Sequence, residues 1–434
     1  MKKIEYNPDL FISYDPNYLI IEINKQEYIF YNSIRHFGCR ISKLELLLLN
    51  VLYKYDDINH IIARMPIGQK KKAKETLQKI SDSQILSTIP LTDENCNQNK
   101  NAKLQIFYLH LTYRCNLNCS YCYNKSIRTN NRNEMSIHEW KGIVDKIAPY
   151  ASLIVLTGGE CFLYKEILPL LEYIKEKAPK STLSCISNCM HDFSYGNINQ
   201  ALNYLDDITF SCDSISEEGE RIGFNPELFQ KNIEYIRVNF PHIKINISKT
   251  DTIDSTKDIA EIKSFCTASG CSFTNIILNP GKYSDIEIMP PITDSFDNDT
   301  TLSNPSNKKS YSELKGKKTR CGAAKNTCSI DPIGNVYPCQ SLHFEEFLMG
   351  NLLKQDIKEL RYQDEEECIP CIDEIPECIK CKVKYICGGG CRASGYELRN
   401  NKLGHNKWLC PYNYNIAIKK LLHIKNNPII ENKE

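Results

Sequence analysis

Between residues 104 and 280 the chain alternates short apolar runs with longer amphipathic ones. Buried strands are predicted at six apolar runs: LQIFYLHLT, SLIVLTGG, TLSCISN, DITFSCD, IKINISK and SFTNIILNP. Helical periodicity fills the intervals, in HEWKGIVDKIA, YKEILPLLEYIKEK, ELFQKNIEYIRVN and TKDIAEIKSFCTA. Strands that alternate with helices indicate right-handed βαβ units around a parallel sheet, which is either doubly wound or a partial barrel. In both arrangements the active site lies at the carboxyl ends of the strands.

Two segments with different patterns flank this α/β region. Residues 1–90 give three strand-like runs, LFISYD, YLIIEIN and EYIFYN, and then three helical stretches, ISKLELLLLNVLYKY, INHIIARM and KKKAKETLQKI. This order predicts a small winged-helix-like module. The polar run LTDENCNQNKNA follows as a linker, and residues 281–318 form a second polar connector. Three domains are therefore expected, at residues 1–90, 104–280 and 319–415, and the last is rich in cysteine.

Composition and charge narrow the classes of function. The 434 residues are enough for several domains with substantial cores. The formal net charge is +1 and the two signs are interspersed, which argues against nucleic acid or an anionic membrane as a partner. No stretch has the pattern of a signal peptide or a membrane span, so a cytoplasmic protein is expected. Disulfides are rare in that reducing compartment, and the 21 cysteines therefore indicate metal ligands.

Three cysteines stand close together directly after the first predicted strand of the α/β region. The stretch LTYRCNLNCSYCYN contains Cys115, Cys119 and Cys122. A structural metal ion takes four protein ligands, whereas a site that performs chemistry keeps a position open. A four-iron cluster that is held by three thiolates likewise leaves one iron without a protein ligand. The alternative is half of a zinc site that a distant His or Cys completes.

A second group of cysteines lies in the C-terminal part of the chain. Four follow the spacing C-x2-C-x5-C-x3-C, at Cys378, Cys381, Cys387 and Cys391. Others stand upstream and downstream, at Cys321, Cys328, Cys339 and Cys410. Two zinc sites would also suit the C-x2-C spacing. A further C-x2-C pair receives no assignment, at Cys368 and Cys371.

The motif C-x3-C-x2-C, with an aromatic residue before its last cysteine, resembles that of the radical SAM superfamily. The resemblance covers most of residues 104–280 and implies a partial (β/α)6 TIM-type barrel. It also implies that Cys115, Cys119 and Cys122 bind a [4Fe–4S] cluster, whose open iron is chelated by the amino and carboxylate groups of S-adenosylmethionine. Tyr121 matches the family's aromatic position near the adenine.

The sequence TGGE after the second strand is similar to the family's GGE motif. By this resemblance Gly158 and Gly159 allow close backbone approach, and the carboxylate of Glu160 holds the methionine ammonium. An ordinary strand-to-helix turn is the alternative. Cys161 stands where the family usually has proline, and its thiol is expected to be packed rather than catalytic.

Polar residues end the third and fourth strands. They resemble the family's residues that contact the ribose and the carboxylate of S-adenosylmethionine, and they are Ser187, Asn188, Ser211 and Asp213. Each pair could instead cap the helix that follows.

The C-terminal cysteines look like those of a SPASM domain, which carries two auxiliary [4Fe–4S] clusters. The family order assigns the first auxiliary cluster to Cys321, Cys328, Cys339 and Cys391. It assigns the second to Cys378, Cys381, Cys387 and Cys410. The resemblance thus implies three [4Fe–4S] clusters. The fold expected is α/β, with a partial (β/α)6 TIM-type barrel between an N-terminal winged-helix-like module and a C-terminal Cys-rich SPASM domain.

These resemblances imply an oxidoreductase that cleaves S-adenosylmethionine reductively and abstracts hydrogen from a peptide. The N-terminal module resembles the PqqD-like element that binds leader peptides of ribosomally made, modified peptides. The expected substrate is therefore a precursor peptide with a leader, and the expected product is an intramolecular crosslink, first of all a thioether. Carbon–carbon and carbon–oxygen crosslinks remain open. A low-potential donor such as flavodoxin or ferredoxin would supply the electron.

Two alternatives accompany this interpretation. An anaerobic sulfatase-maturing enzyme shares both cluster domains, but that group commonly has a basic Asp where this chain has Gln340, and an amide does not accept a proton as a carboxylate does. A non-catalytic metal-binding scaffold would bind zinc and would not cleave S-adenosylmethionine.

Overall fold

The structure is a computed structural model. It describes residues 15, 17–54, 63, 67–83, 85–86, 104–124, 133–216, 219–252, 258–279, 287, 289, 317–360 and 369–424.

Six parallel strands form the centre of the chain, and all six were predicted from the apolar runs. Neighbouring strands in the sheet are also neighbours in the sequence. A doubly wound sheet reverses its strand order at a switch point, so this sequential order is that of a partial barrel. The strands are β4 (Ile106–Thr112), β5 (Leu153–Gly158), β6 (Thr182–Ser187), β7 (Asp207–Ser211), β8 (Lys244–Asp251) and β9 (Ser272–Ile277).

Helices cover one face of this sheet. Ser136 and Glu139 form a capping box at the start of the first, and Asn225 caps the fourth ahead of a proline. The short helix Gly196–Ala201 was not predicted, since it has no apolar periodicity of its own. The helices are α3 (Ile137–Ile147), α4 (Ile167–Lys177), α5 (Gly196–Ala201), α6 (Pro226–Asn239) and α7 (Ile259–Ser269).

Successive side chains of β4 point alternately into the hydrophobic core and to the inner face of the barrel. Phe107, Leu109 and Leu111 pack in the main apolar cluster with the helices. The side chains between them point to the opposite face, because successive residues of a strand alternate. Tyr108 and His110 therefore lie on the inner face.

The cysteine-rich segment continues the same sheet. Its first strand, β10 (Thr327–Ile330), pairs in parallel with β4, and β11 (Asn335–Tyr337) and β12 (Gly350–Asn351) follow as antiparallel strands. The result is one nine-stranded sheet in the order β12-β11-β10-β4-β5-β6-β7-β8-β9. The sequence did not predict these strands. They join the cysteine-rich segment to the barrel through backbone hydrogen bonds.

The N-terminal module contains an antiparallel sheet and helices. Its strands β1 (Tyr18–Asn24) and β2 (Glu27–Asn32) were predicted, whereas β3 (Phe37–Ser42) was not. The predicted strand LFISYD and helix INHIIARM lie outside the described residues, apart from Asp15 and Ala63. Two helices match the predicted ones, α1 (Lys43–Lys54) and α2 (Lys70–Ser83). The winged-helix arrangement stays a prediction.

Both faces of the N-terminal sheet are covered. One face packs on α1 and α2, with Phe30 among the buried residues. The other face packs Ile29 and Tyr31 against Ile418 and other residues of α10 (Cys410–Leu422). Arg40 of β3 donates from Nη2 to the carbonyl of Leu422 at the end of that helix at 3.3 Å, and from Nε to the carbonyl of Ile424 just beyond it at 2.6 Å. The module is therefore docked on the C-terminal segment.

The C-terminal segment is mostly short turns around its cysteines. Besides α10, its helices are α8 (Lys384–Cys387) and α9 (Arg392–Arg399). Among the described residues, no helix has the length and apolar character needed to cross a bilayer.

Candidate active site

The three-cysteine loop after β4 is held by a distant segment of the chain. The amide of Asn118 donates to the carbonyl of Ile222 at 2.9 Å, and the amide of Ser120 donates to the carbonyl of Glu220 at 3.0 Å. Ser120 also donates its hydroxyl to the Glu220 carboxylate, 100 positions away in sequence. A contact of this range leaves no local signal, so sequence reasoning missed it.

The sulfur atoms of this loop accept hydrogen bonds from nearby N–H groups. The Leu117 amide and the Asn188 side chain lie 3.4 and 3.7 Å from Sγ of Cys115. Nη1 of Arg221 lies 3.9 Å from Sγ of Cys119. Burial raises the pKa of the Cys119 thiol, and the two other thiols of the loop raise it further. Three neighbouring thiols, of which Cys115 and Cys119 have N–H donors beside their sulfurs, are a fitting set for the thiolates of an iron–sulfur cluster.

Arg221 joins two of the predicted cosubstrate residues. Its Nε forms an ion pair with Asp213 at 3.0 Å, and its guanidinium lies over the ring of Tyr121. Tyr121 donates its hydroxyl to the same carboxylate, and the Thr250 amide donates to the other oxygen at 3.0 Å. The structure thus brings Tyr121 and Asp213 together. Sequence reasoning missed Arg221, which stands in a polar loop without a motif.

The two glycines of TGGE pack against the end of β4. A Cβ on Gly158 would lie 2.2 Å from the carbonyl oxygen of Thr112, and one on Gly159 would lie 2.2 Å from that of Arg114. Gly158 also has a φ of +131°, which side chains disfavour. Both positions therefore need glycine to place this turn beside the cysteine loop.

Glu160 is buried in the fold and accepts several hydrogen bonds. The amides of Asn188 and Phe162 donate to its carboxylate at 2.8 and 3.2 Å, and the Ser187 hydroxyl donates at 3.0 Å. Burial raises its pKa, and these hydrogen bonds act in the opposite direction. The structure brings Glu160, Ser187 and Asn188 together. The role of Glu160 toward a ligand ammonium stays a prediction.

Two other residues of the predicted set lie nearby in different surroundings. Ser211 ends β7 and is paired in register with Ser248 of β8. Cys161 is fully buried, and its thiol donates to the carbonyl of Ile186 at 3.6 Å. This agrees with a packed rather than catalytic thiol.

A cluster of imidazole and phenol rings lines the inner face next to the cysteine loop. His343 accepts or donates at both ring nitrogens, to the Tyr113 hydroxyl at 3.0 Å and the Ser329 hydroxyl at 2.8 Å. Its ring stacks on Tyr337 and lies 4.4 Å from the ring of His110. Burial lowers the pKa of His343 to about 3. These rings converge only because β10 and β11 extend the sheet, and no local pattern in the sequence predicts this.

Three of the four cysteines that were assigned to the first auxiliary cluster lie together. Cys321, Cys339 and Cys391 share a small apolar cluster that includes Tyr396. Burial raises the pKa of the Cys339 thiol to about 12, and the other two thiols raise it as well.

The fourth, Cys328, lies apart from these three. It pairs with Phe107 in the register of β10 and β4, is fully buried, and packs in the main core with Ile330. Ser329, next to it, points to the inner face and reaches His343. Since successive side chains of a strand alternate, the Cys328 thiol faces the helices. The structure therefore does not bring it to the set that the resemblance assigned.

All four cysteines that were assigned to the second auxiliary cluster lie together. Burial raises the pKa of the Cys378 thiol to about 12, and Cys381, Cys410 and Cys387 all contribute to the rise. Of the unassigned pair, Cys371 packs in the same small apolar cluster as Cys378, while Cys368 lies outside the described residues.

The cysteine sets fit soft metals. Within the described part of the chain, no three His, Cys, Asp or Glu side chains converge on the position of a single metal ion. The donors are sulfur throughout, which suits both zinc and iron–sulfur clusters.

Two family models match the chain. The radical SAM superfamily matches residues 109–261, and the SPASM iron–sulfur cluster-binding domain matches residues 321–382. The second match ends before Cys387, Cys391 and Cys410.

Curated relatives match different shares of the chain. Fe-coproporphyrin III synthase of Methanosarcina barkeri is 32% identical over 83 residues, 19% of this chain and 21% of that protein. The cysteine-type anaerobic sulfatase-maturating enzyme of Clostridium perfringens is 30% identical over 122 residues, 26% of this chain and 33% of that enzyme. The matches thus span a third or less of these two relatives' lengths. The subtilosin biosynthesis protein AlbA of Bacillus subtilis is 24% identical over 338 residues, 72% of each protein.

Solved structures share the fold over most of the chain. Streptococcus suis SuiB superposes with a TM-score of 0.55 at 17% identity, over 91% of this chain and 98% of SuiB. SuiB bound to the precursor peptide SuiA gives 0.54 at 15% identity, over 91% and 99%. A sulfatase-maturase structure, anSMEcpe with S-adenosylmethionine and a peptide, gives 0.51 at 16% identity, over 74% and 96%.

The buried His343 predicts a loss of stability in weak acid. The folded chain keeps this imidazole neutral down to about pH 3, whereas the unfolded chain binds a proton below its ordinary pKa near 6.5. The unfolded state therefore binds more protons between these values, and stability falls as the pH falls through 6.5. We expect His343 to account for about 1 kcal/mol of the loss between pH 7.5 and 5.5. His343→Gln should flatten the pH dependence of thermal unfolding by this amount, whereas His138→Gln, on the exposed side of α3, should not. Parallel curves for wild type and His343→Gln would contradict this.

The position of Cys328 predicts that it is not a cluster ligand. Cys328→Ala should keep the iron content of the wild type and lose about 1 kcal/mol of stability as a core substitution. Cys321→Ala is the matched comparison and should lose about four irons, the content of one cluster. Iron and sulfide analysis after anaerobic reconstitution measures both. Loss of about four irons from Cys328→Ala would restore the assignment by family order.

Proposed function

The chain is a radical SAM enzyme with a SPASM iron–sulfur domain, and from this premise we propose that it matures a ribosomally made precursor peptide. The reaction is hydrogen abstraction from the peptide, which leads to an intramolecular crosslink. The observation that carries this proposal is the length of the shared fold: SuiB superposes over 91% of the chain, whereas the sulfatase maturase superposes over 74%. SuiB has been solved with its precursor peptide, and AlbA, which functions in subtilosin biosynthesis, aligns over 72% of the chain.

The site at the carboxyl ends of the strands supports the assignment of the cosubstrate. Cys115, Cys119 and Cys122 would hold the core [4Fe–4S] cluster, and N–H groups lie beside the sulfurs of Cys115 and Cys119. When bound, this cluster and S-adenosylmethionine supply the radical that abstracts hydrogen. The residues proposed to surround S-adenosylmethionine are Tyr121, Gly158, Gly159, Glu160, Ser187, Asn188, Ser211 and Asp213. The chain's contribution is to position this ligand and exclude water from the inner face.

The two C-terminal cysteine sets differ in number, and this difference supports a thioether product. Cys378, Cys381, Cys387 and Cys410 would enclose one cluster fully. Cys321, Cys339 and Cys391 would leave one iron of the other without a protein ligand. A cysteine thiolate of the peptide is a suitable ligand for that position, which would place its sulfur on the inner face of the barrel.

The sulfatase-maturing alternative keeps one favourable observation, the 30% identity with the Clostridium perfringens enzyme. Gln340 weighs against it, because its amide cannot serve as the expected base. We propose a cytoplasmic location and a flavodoxin or ferredoxin as electron donor, in line with the reducing chemistry. Mass analysis of a co-expressed precursor distinguishes the products, because a crosslink removes two hydrogens and epimerisation leaves the mass unchanged.

Substitution of the loop cysteines tests the core assignment. Cys115→Ala, Cys119→Ala and Cys122→Ala should each abolish formation of 5′-deoxyadenosine from S-adenosylmethionine under reducing conditions. Each variant should also lose about four of about twelve irons. Cys271→Ala, a half-buried thiol outside the three sets, is the control and should keep both iron and cleavage. Cleavage at the wild-type rate in any folded loop variant would refute the assignment, and stoichiometric zinc without cleavage in the wild type would favour a scaffold.

Leader binding is best tested in the intact chain. Removal of residues 1–90 would uncover the apolar face of α10, so a truncated enzyme would confuse lost binding with lost folding. Instead, amide hydrogen exchange of the full chain should slow within residues 18–42 when a leader peptide is added, because an extended peptide would pair with an edge of the three-stranded sheet.

Helix α6 should show no change and serves as the internal control. Free leader peptide should also slow modification of the precursor without slowing S-adenosylmethionine cleavage. Protection elsewhere, with none in residues 18–42, would overturn the leader-binding proposal and favour a leader-independent substrate.

A further inference from the structure

Arg392 is a buried cation with unused hydrogen-bond donors. It is 4% exposed and begins helix α9, directly after Cys391. Its Nη2 donates to the carbonyl of Gly389. Its Nε and Nη1 are buried and have no hydrogen-bond partner within the described residues. A guanidinium carries five N–H donors and stays charged, so such a position is unfavourable unless an acceptor with negative charge is nearby.

The backbone around Arg392 is shaped to admit the guanidinium. Gly389 has a φ of +82°, and a Cβ there would lie 3.0 Å from Nη2 of Arg392. The middle glycine of the run Gly388–Gly390 therefore provides both the acceptor for Nη2 and the space that the guanidinium occupies. The glycine run thus serves to hold the arginine close to the cysteines.

The guanidinium lies beside residues of both C-terminal cysteine sets. Arg392 directly follows Cys391 of one set, and it donates to the carbonyl of Gly389, two residues after Cys387 of the other set. One cation is thus within electrostatic range of two sites that would each carry thiolates.

We propose that Arg392 is a shared counter-cation of the two auxiliary clusters, and that its Nε–H and Nη1–H groups donate to the sulfide of a bound cluster. This inference rests on the proposed function, which places clusters at both sets. Hydrogen bonds to sulfur and a fixed positive charge favour the reduced, more negative state of a cluster. Arg392 therefore raises the reduction potential of both clusters together. It is a positioning and tuning residue and does not touch the peptide.

The test compares three variants of the full chain after anaerobic reconstitution: Arg392→Met, Arg392→Lys and Arg399→Met. Arg399 ends the same helix in solvent and is the matched control. Iron content is measured first, and the midpoint potentials of the auxiliary clusters are then followed by electron paramagnetic resonance. A background without the three core cysteines resolves the two remaining signals.

Arg392→Met should keep its iron and shift both reduction equilibria toward the oxidised form by about tenfold or more, which is about 59 mV for a one-electron couple. Arg399→Met should change them by less than about twofold, because water screens its charge. If Arg392→Met loses the auxiliary clusters, retention of both in Arg392→Lys with both potentials shifted also supports the proposal, since the ammonium keeps the charge without the planar fork.

Three results would overturn it: full iron with both potentials unchanged in Arg392→Met, a shift in one cluster only, or loss of both clusters from the Met and Lys variants alike, which would make Arg392 a packing residue. The proposed function fails separately. In that case the wild-type chain itself would bind no iron at the C-terminal cysteines.

Discussion

The parallel pairing of β10 with β4 determines how the rest of the molecule is arranged. β4 leads directly into the three-cysteine loop, and β10 lies between Cys321 and Cys339 in the chain. Backbone hydrogen bonds between these two strands therefore fix the position of the C-terminal cysteines relative to the loop. A flexible connection between two domains would leave that distance free.

Two buried arginines lie beside the cysteines of this arrangement. Arg221 lies against a carboxylate, an aromatic ring and a cysteine sulfur at the core site. Arg392 lies beside the two C-terminal cysteine sets, and its Nε and Nη1 have no partner among the described residues. In both cases the guanidinium is desolvated, so its charge acts at close range with little screening by solvent. We interpret the pair as the electrostatic counterpart of the anionic clusters.

Sequence patterns predicted the strands, helices and loop that are determined by residues close together in the chain. Six strands and four long helices of the barrel follow from apolar periodicity, and the three-cysteine loop follows from its spacing. Elements that depend on distant partners were missed: β3 and β10 are short and mixed in polarity, and each becomes a strand through its neighbour. Cys328 shows the same limit, since only the register with Phe107 decides which face its thiol takes. Arg221, Arg392 and His343 carry no motif and gain their meaning from burial.

The docking of the N-terminal sheet on α10 also bears on how the chain is synthesised. Arg40 and the carbonyl of Ile424, which it contacts, are 384 positions apart. At ribosomal rates of about 5–20 residues per second, the second apolar face of that sheet waits roughly 20 to 80 seconds for its helix to be made. During that interval Ile29 and Tyr31 form an uncovered hydrophobic surface on a nascent chain. The surface stays available to other apolar groups until α10 leaves the ribosome.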